Sequence, residues 1–239
     1  MIEIKGTHNT ARCFCETLED TAARQIQTVC NQAAFADCKI RIMPDVHAGM
    51  GCTIGTTMTI HDKVVPGMVG VDIGCGMETV ELAEHDIDFE ALDNLIRREI
   101  PFGREVRDTP HPLHAEIDLT QLRCAGQVQL ERAMCSIGSL GGGNHFIEVD
   151  RAGDGQLFLV VHSGSRHLGV EAASFYQDEG RRALWGGAKY QIQETIARLK
   201  AEGRFQEIQS AIERLKKEHA LDIPKELAYV EGKLFADYI

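Results

Sequence analysis

Short apolar runs of strand length and longer amphipathic runs of helical length follow one another along this chain without a regular strand–helix–strand rhythm. That order points to the α+β class, with mixed or antiparallel strands and surrounding helices, rather than a doubly wound sheet. Residues 16–34 read as a helix. Residues 37–43 alternate as a strand with Cys38, Ile40 and Ile42 on one face. From Met43 to Met77, glycine, methionine, valine and isoleucine dominate, as in buried strands joined by tight loops. Residues 88–98 read as a helix capped by Asp88, and 118–134 as a second amphipathic helix. Residues 138–144 form a glycine-rich loop. It leads into strands at 145–149 and 157–161, joined by a turn at 150–155. The rest is mainly helical, with charged helices at 191–199 and 205–215 broken at Gly203. A peripheral helical hairpin over 189–219 is expected as an insertion in a single domain of 239 residues.

Composition narrows the function classes. Apolar residues make up 44% and charged residues 26%, which excludes a wholly disordered chain. No apolar stretch reaches membrane-spanning length, and the first residues lack the apolar core of a signal peptide. No membrane association is expected, and the cytoplasm is the expected compartment. The eight cysteines contain no Cys-x-x-Cys pair, so most are expected to be reduced, buried thiols. A net charge of −11 argues against a protein that coats nucleic acid. Between Arg181 and Lys217, however, nine Lys or Arg face four Asp or Glu. This segment is either a solvated decoration or a local RNA-facing arm.

Four segments carry chemistry. Asp72 and Cys75 lie three residues apart in Val71-Asp72-Ile73-Gly74-Cys75-Gly76-Met77, where glycine lets the backbone bring a carboxylate and a thiol toward one ion. Gly141-Gly142-Gly143 strips side chains from a loop whose N–H groups can approach a phosphate. It runs straight into Asn144, His145, Phe146, Ile147 and Glu148, which a flexible linker rarely does. His162 ends an apolar strand beside Ser163, Ser165 and Arg166, and the arginine suits bidentate phosphate recognition. Asp45 and His47, two apart, are either ligands or a carboxylate–imidazole pair that supports ligands; the second is favoured. Asp72, Cys75, His145 and His162 together form a mixed O, S and N donor set for a transition metal. The donors alone do not identify the ion, because zinc or copper would outcompete manganese for them.

These segments, in this order, resemble the RtcB family of RNA-splicing ligases. The resemblance rests on Met43-Pro44-Asp45-Val46-His47, residues 69–77, residues 141–148 and His162-Ser163-Gly164-Ser165-Arg166. Residues 50–58 and the charged hairpin are more similar to a bacterial branch found beside a peptide-release-factor homologue. The family implies two manganese ions. Asp72, Cys75 and His145 would hold one, and Cys75 would bridge to a second that also takes His162 and a further histidine. Asn144 to Glu148 would line a guanylate site. A histidine would take up GMP from GTP and pass it to an RNA 3′-phosphate, and the 5′-hydroxyl of another end would displace it. Some members first open a 2′,3′-cyclic phosphate. The job is tRNA splicing or RNA repair, and oligomeric state is left open. Members continue far beyond residue 232, and the nucleophilic histidine is expected beyond Ile239. No catalytic residue is therefore assigned within the chain. The 239 residues alone are expected to be incomplete at the C-terminus and inactive. Two other readings stay open: a metal-dependent RNA-end phosphohydrolase, and a non-catalytic metal- or RNA-binding module.

Overall fold

The computed structural model describes the backbone of residues 1–218 and 223–239, and their side chains except 187–191 and 216–218. His219, which closes the expected hairpin, lies outside the described residues. In chain order the elements are β1 (Ile2–Lys5), β2 (Thr10–Cys13), α1 (Asp20–Cys30), β3 (Ile40–His47), β4 (Ile54–Met58), β5 (Lys63–Val64) and α2 (Pro66–Val69). Then come β6 (Gly76–Glu81), α3 (Phe89–Glu99), α4 (Leu130–Ser136), β7 (Phe146–Arg151), β8 (Leu157–Ser163), α5 (Arg166–Ala201), α6 (Ile208–Glu218), β9 (Val230–Glu231) and α7 (Gly232–Tyr238). The fold is α+β. Two compact units divide the chain, one of residues 1–69 with 176–239, the other of residues 70–175.

The first unit holds the sheet β1-β2-β3-β4 and the pair β5-β9. Ala22, Ile26, Val29 and Cys30 recur every three or four residues on α1 and are all buried. The helix is shorter than its apolar pattern. At its end Asn31 turns its side chain to accept from the Thr7 N–H at 2.8 Å, and Gln32 is already extended. The alternation of Cys38, Ile40 and Ile42 does face the core. β3 nevertheless runs on through Pro44 to His47, with a register shift between Ile42 and His47. Proline cannot donate to the ladder, so the strand continues only by bulging. Gln177 of α5 ties this unit together. It accepts from the Gly67 N–H at 2.7 Å and donates to the Lys225 and Ala228 carbonyls, each at 3.2 Å.

In the second unit β8 lies between β6 and β7, antiparallel to both. Asp88 caps α3 as expected, accepting from the Ala91 N–H at 3.0 Å. The helix expected over 118–134 is not one helix. It is two 3-10 turns, Leu119–Gln121 and Ala125–Gln127, followed by α4. Asp118 draws off the Thr120 N–H, Thr120 hydroxyl and Gln121 amide, and the Glu171 carboxylate takes the Gln129 N–H at 3.0 Å. The Asp118 bonds cap the first turn, whereas the Glu171 bond takes an N–H that an unbroken helix would use.

α5 is longer than the charged segment expected near its end. It starts at Arg166 and ends at Ala201. Gly203, at φ +72°, then reverses the chain, and the Arg204 N–H closes onto the Leu199 carbonyl at 2.8 Å. Among the described residues, no helix is long and apolar enough to cross a membrane.

Candidate metal and phosphate site

The site forms in the second unit, where the turn before β6, the glycine-rich loop before β7 and the end of β8 come together. β8 is paired on both sides, so His162 has Met77 opposite it on one flank and Phe146 on the other. Cys75 immediately precedes the first paired residue of β6, Gly76, which lies opposite Ser163. Segments far apart in sequence are thereby held at one end of a three-stranded sheet.

Two imidazoles are oriented from behind. His145 Nδ1 lies 3.1 Å from the Leu140 carbonyl, and His162 Nδ1 lies 2.9 Å from the Asn144 carbonyl. A carbonyl only accepts, so His162 Nδ1 carries the proton and its Nε2 is left with a lone pair. The rings pack edge to face with centroids 5.2 Å apart, and Phe146 packs on His162 at 5.5 Å. His145 Nε2 sits 2.9 Å from Asp72 Oδ2. His145 thus faces an acceptor at each ring nitrogen, the Leu140 carbonyl at Nδ1 and the Asp72 carboxylate at Nε2.

Glycine is required at two places by close approach. A Cβ on Gly164 would overlap the Asp72 carboxylate. A Cβ on Gly141, itself at φ +106°, would overlap the His145 ring and the Arg166 guanidinium. The glycine-rich loop is anchored by two backbone bonds, Gly103 N–H to the Gly141 carbonyl at 2.7 Å and Leu140 N–H to the Pro101 carbonyl at 2.9 Å. Arg166 reinforces this pairing. Its Nε donates to Ser139 Oγ at 3.1 Å and its Nη2 to the Gly103 carbonyl at 2.9 Å. Among the described residues it is also the one non-glycine with positive φ, +56°. Burial pushes the guanidinium pKa down, while Asp72 pulls it up.

Asp72, His145 and His162 are therefore brought together, and Cys75 follows on the Asp72 turn, its N–H on the Asp72 carbonyl at 3.3 Å and its side chain exposed. Among the described residues, no group of three or more His, Cys, Asp or Glu is placed to hold a metal ion. Asn144 contributes its carbonyl to His162. His145 precedes the strand rather than starting it. Strand alternation puts Phe146 and Glu148 on one face of β7 and Ile147 on the other, so these residues do not all face one pocket. Asp45 and His47 belong to the first unit. There His47 Nδ1 meets the Asp45 carbonyl at 2.8 Å, not its carboxylate. Ile239, beyond which the nucleophile is expected, follows α7 in the first unit. Its N–H meets the Phe235 carbonyl at 3.1 Å, and its side chain offers no donor to the chemistry.

Sequence reasoning placed Ser139 and Ser163 in these motifs without finding their partners, and it missed the 101–103 turn. Ser163 Oγ donates to the same Leu140 carbonyl that orients His145, at 2.8 Å. The one signal for the turn was Gly103 after Pro101-Phe102, a residue now seen at φ +63°. Part of the positive charge between Arg181 and Lys217 is internally paired. Arg181, Arg182 and Arg204 contact Asp178, Glu179 and the Glu202–Glu207 pair, respectively.

The sequence has counterparts among known proteins. A family model described as tRNA-splicing ligase RtcB matches residues 25–127 and 114–202. RNA-splicing ligase RtcB of Escherichia coli K12 is 30% identical over 165 residues, which cover 61% of this chain and 40% of the relative. RNA-splicing ligase RtcB homolog 1 of Entamoeba histolytica is 24% identical over 245 residues, covering 73% and 47%. The tRNA-splicing ligase RtcB of Thermococcus kodakarensis is 27% identical over 187 residues, covering 56% and 39%. The chain thus spans less than half the length of these relatives.

Proposed function

This chain belongs to the RtcB family, and from that premise we propose that the protein it represents is a GTP- and manganese-dependent RNA ligase. It joins an RNA 3′-phosphate or 2′,3′-cyclic phosphate end to a 5′-hydroxyl end through histidine–guanylate and RNA–guanylate intermediates. The observation that carries the reading is the pair of imidazoles locked through Nδ1, with one Nε2 at 2.9 Å from the Asp72 carboxylate. A carboxylate, two imidazoles and a nearby thiol are donor types that a transition-metal ion takes.

Asp72, Cys75 and His145 are proposed to hold one ion, and Cys75 and His162 a share of a second. Such cations, when bound, offset negative charge on a phosphoryl group in transfer. The chain's own contribution is orientation. Leu140 and Asn144 carbonyls fix the ring nitrogens, and Gly141 and Gly164 leave room for the carboxylate and ring. Arg166 holds the glycine-rich loop and is proposed to contact an RNA phosphate, and the loop's N–H groups are proposed to approach a phosphate. Asn144, His145, Phe146, Ile147 and Glu148 are proposed to contact guanylate. Asp45 and His47 are proposed to support the ligands. None of these residues is proposed as the nucleophile, which is proposed to lie beyond Ile239 at full family length.

The test is a joining assay with RNA bearing a 3′-phosphate and a 5′-hydroxyl, on the protein extended to the full family length. A GTP-dependent joined product is expected. Loss of the 3′-phosphate without joining would favour the phosphohydrolase reading instead. For the metal site, equilibrium dialysis of Mn²⁺ should show Cys75→Ala losing both ions and His162→Ala chiefly one. Two ions retained in Cys75→Ala would end the bridging assignment.

A further inference from the structure

β1 forms one edge of the four-stranded sheet, with β2 on one side and no strand hydrogen-bonded on the other among the described residues. Its backbone groups divide between the two sides by alternation. The Gly6 N–H donates to the Asn9 carbonyl at 2.9 Å, in register with the pairs Ile4–Ala11 and Ile2–Cys13. Ile2 and Ile4 therefore turn their N–H and C=O groups toward β2, and Glu3 and Lys5 turn theirs outward. The Lys5 carbonyl confirms the direction, accepting from the Gln27 side chain of α1 at 3.3 Å. A groove runs along this open edge, lined by Ile4 and by Asp20, Ala23, Arg24 and Gln27 of α1. The opposite edge of the sheet is less regular. There β4 carries Gly55 at φ +81°, and its pairing with β3 shifts register between Ile42 and His47.

We infer that β1 is a dimerisation edge, at which two copies of this chain join their four-stranded sheets into one through reciprocal Glu3–Lys5 pairs. Glu3 and Lys5 are exposed and lie two residues apart, so they share one face of the strand. Ile4, opposite the buried Ala11, takes the other face, toward the core. Antiparallel pairing of β1 with a second β1, centred on Ile4, sets Glu3 opposite the partner's Lys5 and Lys5 opposite the partner's Glu3. Opposite charges directly across a ladder attract. These are also the two positions with outward backbone groups, so each pair exchanges both of its hydrogen bonds. Ile4 then meets the partner's Ile4 at the closer, non-hydrogen-bonded position. Lysine on an edge strand usually guards it against other strands. Here Glu3, two residues away, turns the guard into half of a self-complementary patch, as an isologous contact requires. Within its own chain Glu3 reaches only Arg12, at 3.5 Å, and Lys5 has no ion pair among the described residues. The net charge of −11 on each copy opposes association over the whole surface, where salt screens it. Along the groove itself, Glu3 and Asp20 are balanced by Lys5 and Arg24. The edge belongs to the first unit and the proposed metal donors to the second, so association and RNA chemistry are tested separately.

Sedimentation equilibrium and amide exchange on this chain test the edge. The parent chain is expected to pass from monomer to dimer at concentrations below about 1 mM. Across that passage the Glu3 and Lys5 amides should slow at least about tenfold, while those of Ile2 and Ile4, already bonded to β2, change less. Lys5→Glu sets glutamate against glutamate at both positions, and Glu3→Lys sets lysine against lysine. Each variant alone should associate at least about tenfold more weakly than the parent. An equimolar mixture of the two restores opposite charges at both positions and should recover a one-to-one dimer as strong as the parent's. Both side chains are exposed, so each variant should melt within about 2 °C of the parent monomer. The alternating protection in the parent decides the matter even if a variant fails to fold. A parent that stays monomeric to about 1 mM would overturn the inference and leave the edge to a strand of another polypeptide. A dimer equally strong in both single variants, with Glu3 and Lys5 amides unprotected, would overturn it in favour of a different surface.

Discussion

At the residue scale, the site is held by atoms that must be absent as much as by those present. Gly164→Ala should displace the Asp72 carboxylate and weaken Mn²⁺ binding at least about tenfold, with the fold retained. Dialysis of the variant checks this; unchanged affinity would mean that Asp72 is not a ligand. Gly141→Ala is expected to do more, since its φ of +106° adds backbone strain to the overlap with His145 and Arg166. The added cost is about 1–3 kcal/mol in urea unfolding. A second prediction concerns pH. Burial pushes the thiols of Cys13, Cys30, Cys38 and Cys124 above their ordinary value of 9.0, and the Tyr238 hydroxyl up to about 12. Each folded value is raised, so the unfolded chain loses these protons first. Their contribution is complete below pH 9 and falls as pH rises through the raised values. The urea midpoint should therefore drop between pH 8 and pH 10.5. A midpoint that holds or rises would contradict the burial of these groups. The glycines and the four proposed donors could be named from the sequence because their chemistry is local to each motif. The Leu140 and Asn144 carbonyls were not, because every residue has one and only tertiary placement singles two out.

At the element scale, local caps were readable and local competition was not. Asp88 before an amphipathic stripe announced α3 correctly, and Gly203 announced the break after α5. Asp88→Ala should cost about 1 kcal/mol, and Gly203→Ala about as much through its left-handed backbone. Because α3 buries nothing, the first loss should appear as faster amide exchange over 89–92 with the main unfolding midpoint unmoved. A shifted global midpoint would show α3 to be coupled to the core. The helix expected over 118–134 failed for a reason that periodicity does not encode. Leu122 turns extended after the first 3-10 turn, and the Gln129 N–H, which an unbroken helix would need, goes to Glu171, 42 residues away. β3 outran its expected end because a bulge lets a strand carry Pro44, and bulges leave no apolar signature. α5 hid its true start because its early turns carry Gly169 and Gly180. A Cβ on Gly169 would overlap Ser165, and one on Gly180 would crowd the Tyr229 carbonyl.

At the scale of the whole molecule, the four proposed donors fall in one compact unit and Asp45 and His47 in the other. Mn²⁺ should therefore slow amide exchange in residues 70–77, 139–146 and 162–166, with little change over 40–47. Equal protection over 40–47 would draw Asp45 and His47 into the site. No periodicity or motif located this division, since the first unit is assembled from both ends of the chain and the join depends on β5 meeting β9. Of the eight cysteines, six are buried, Cys135 is half-buried, and Cys75 faces outward. The molecule therefore comes with a natural attachment point. A maleimide dye offered briefly at neutral pH should settle on that one sulfur. A cation drawn to the same atom would shield it, so the speed of labelling becomes a gauge of metal occupancy that needs neither RNA nor nucleotide.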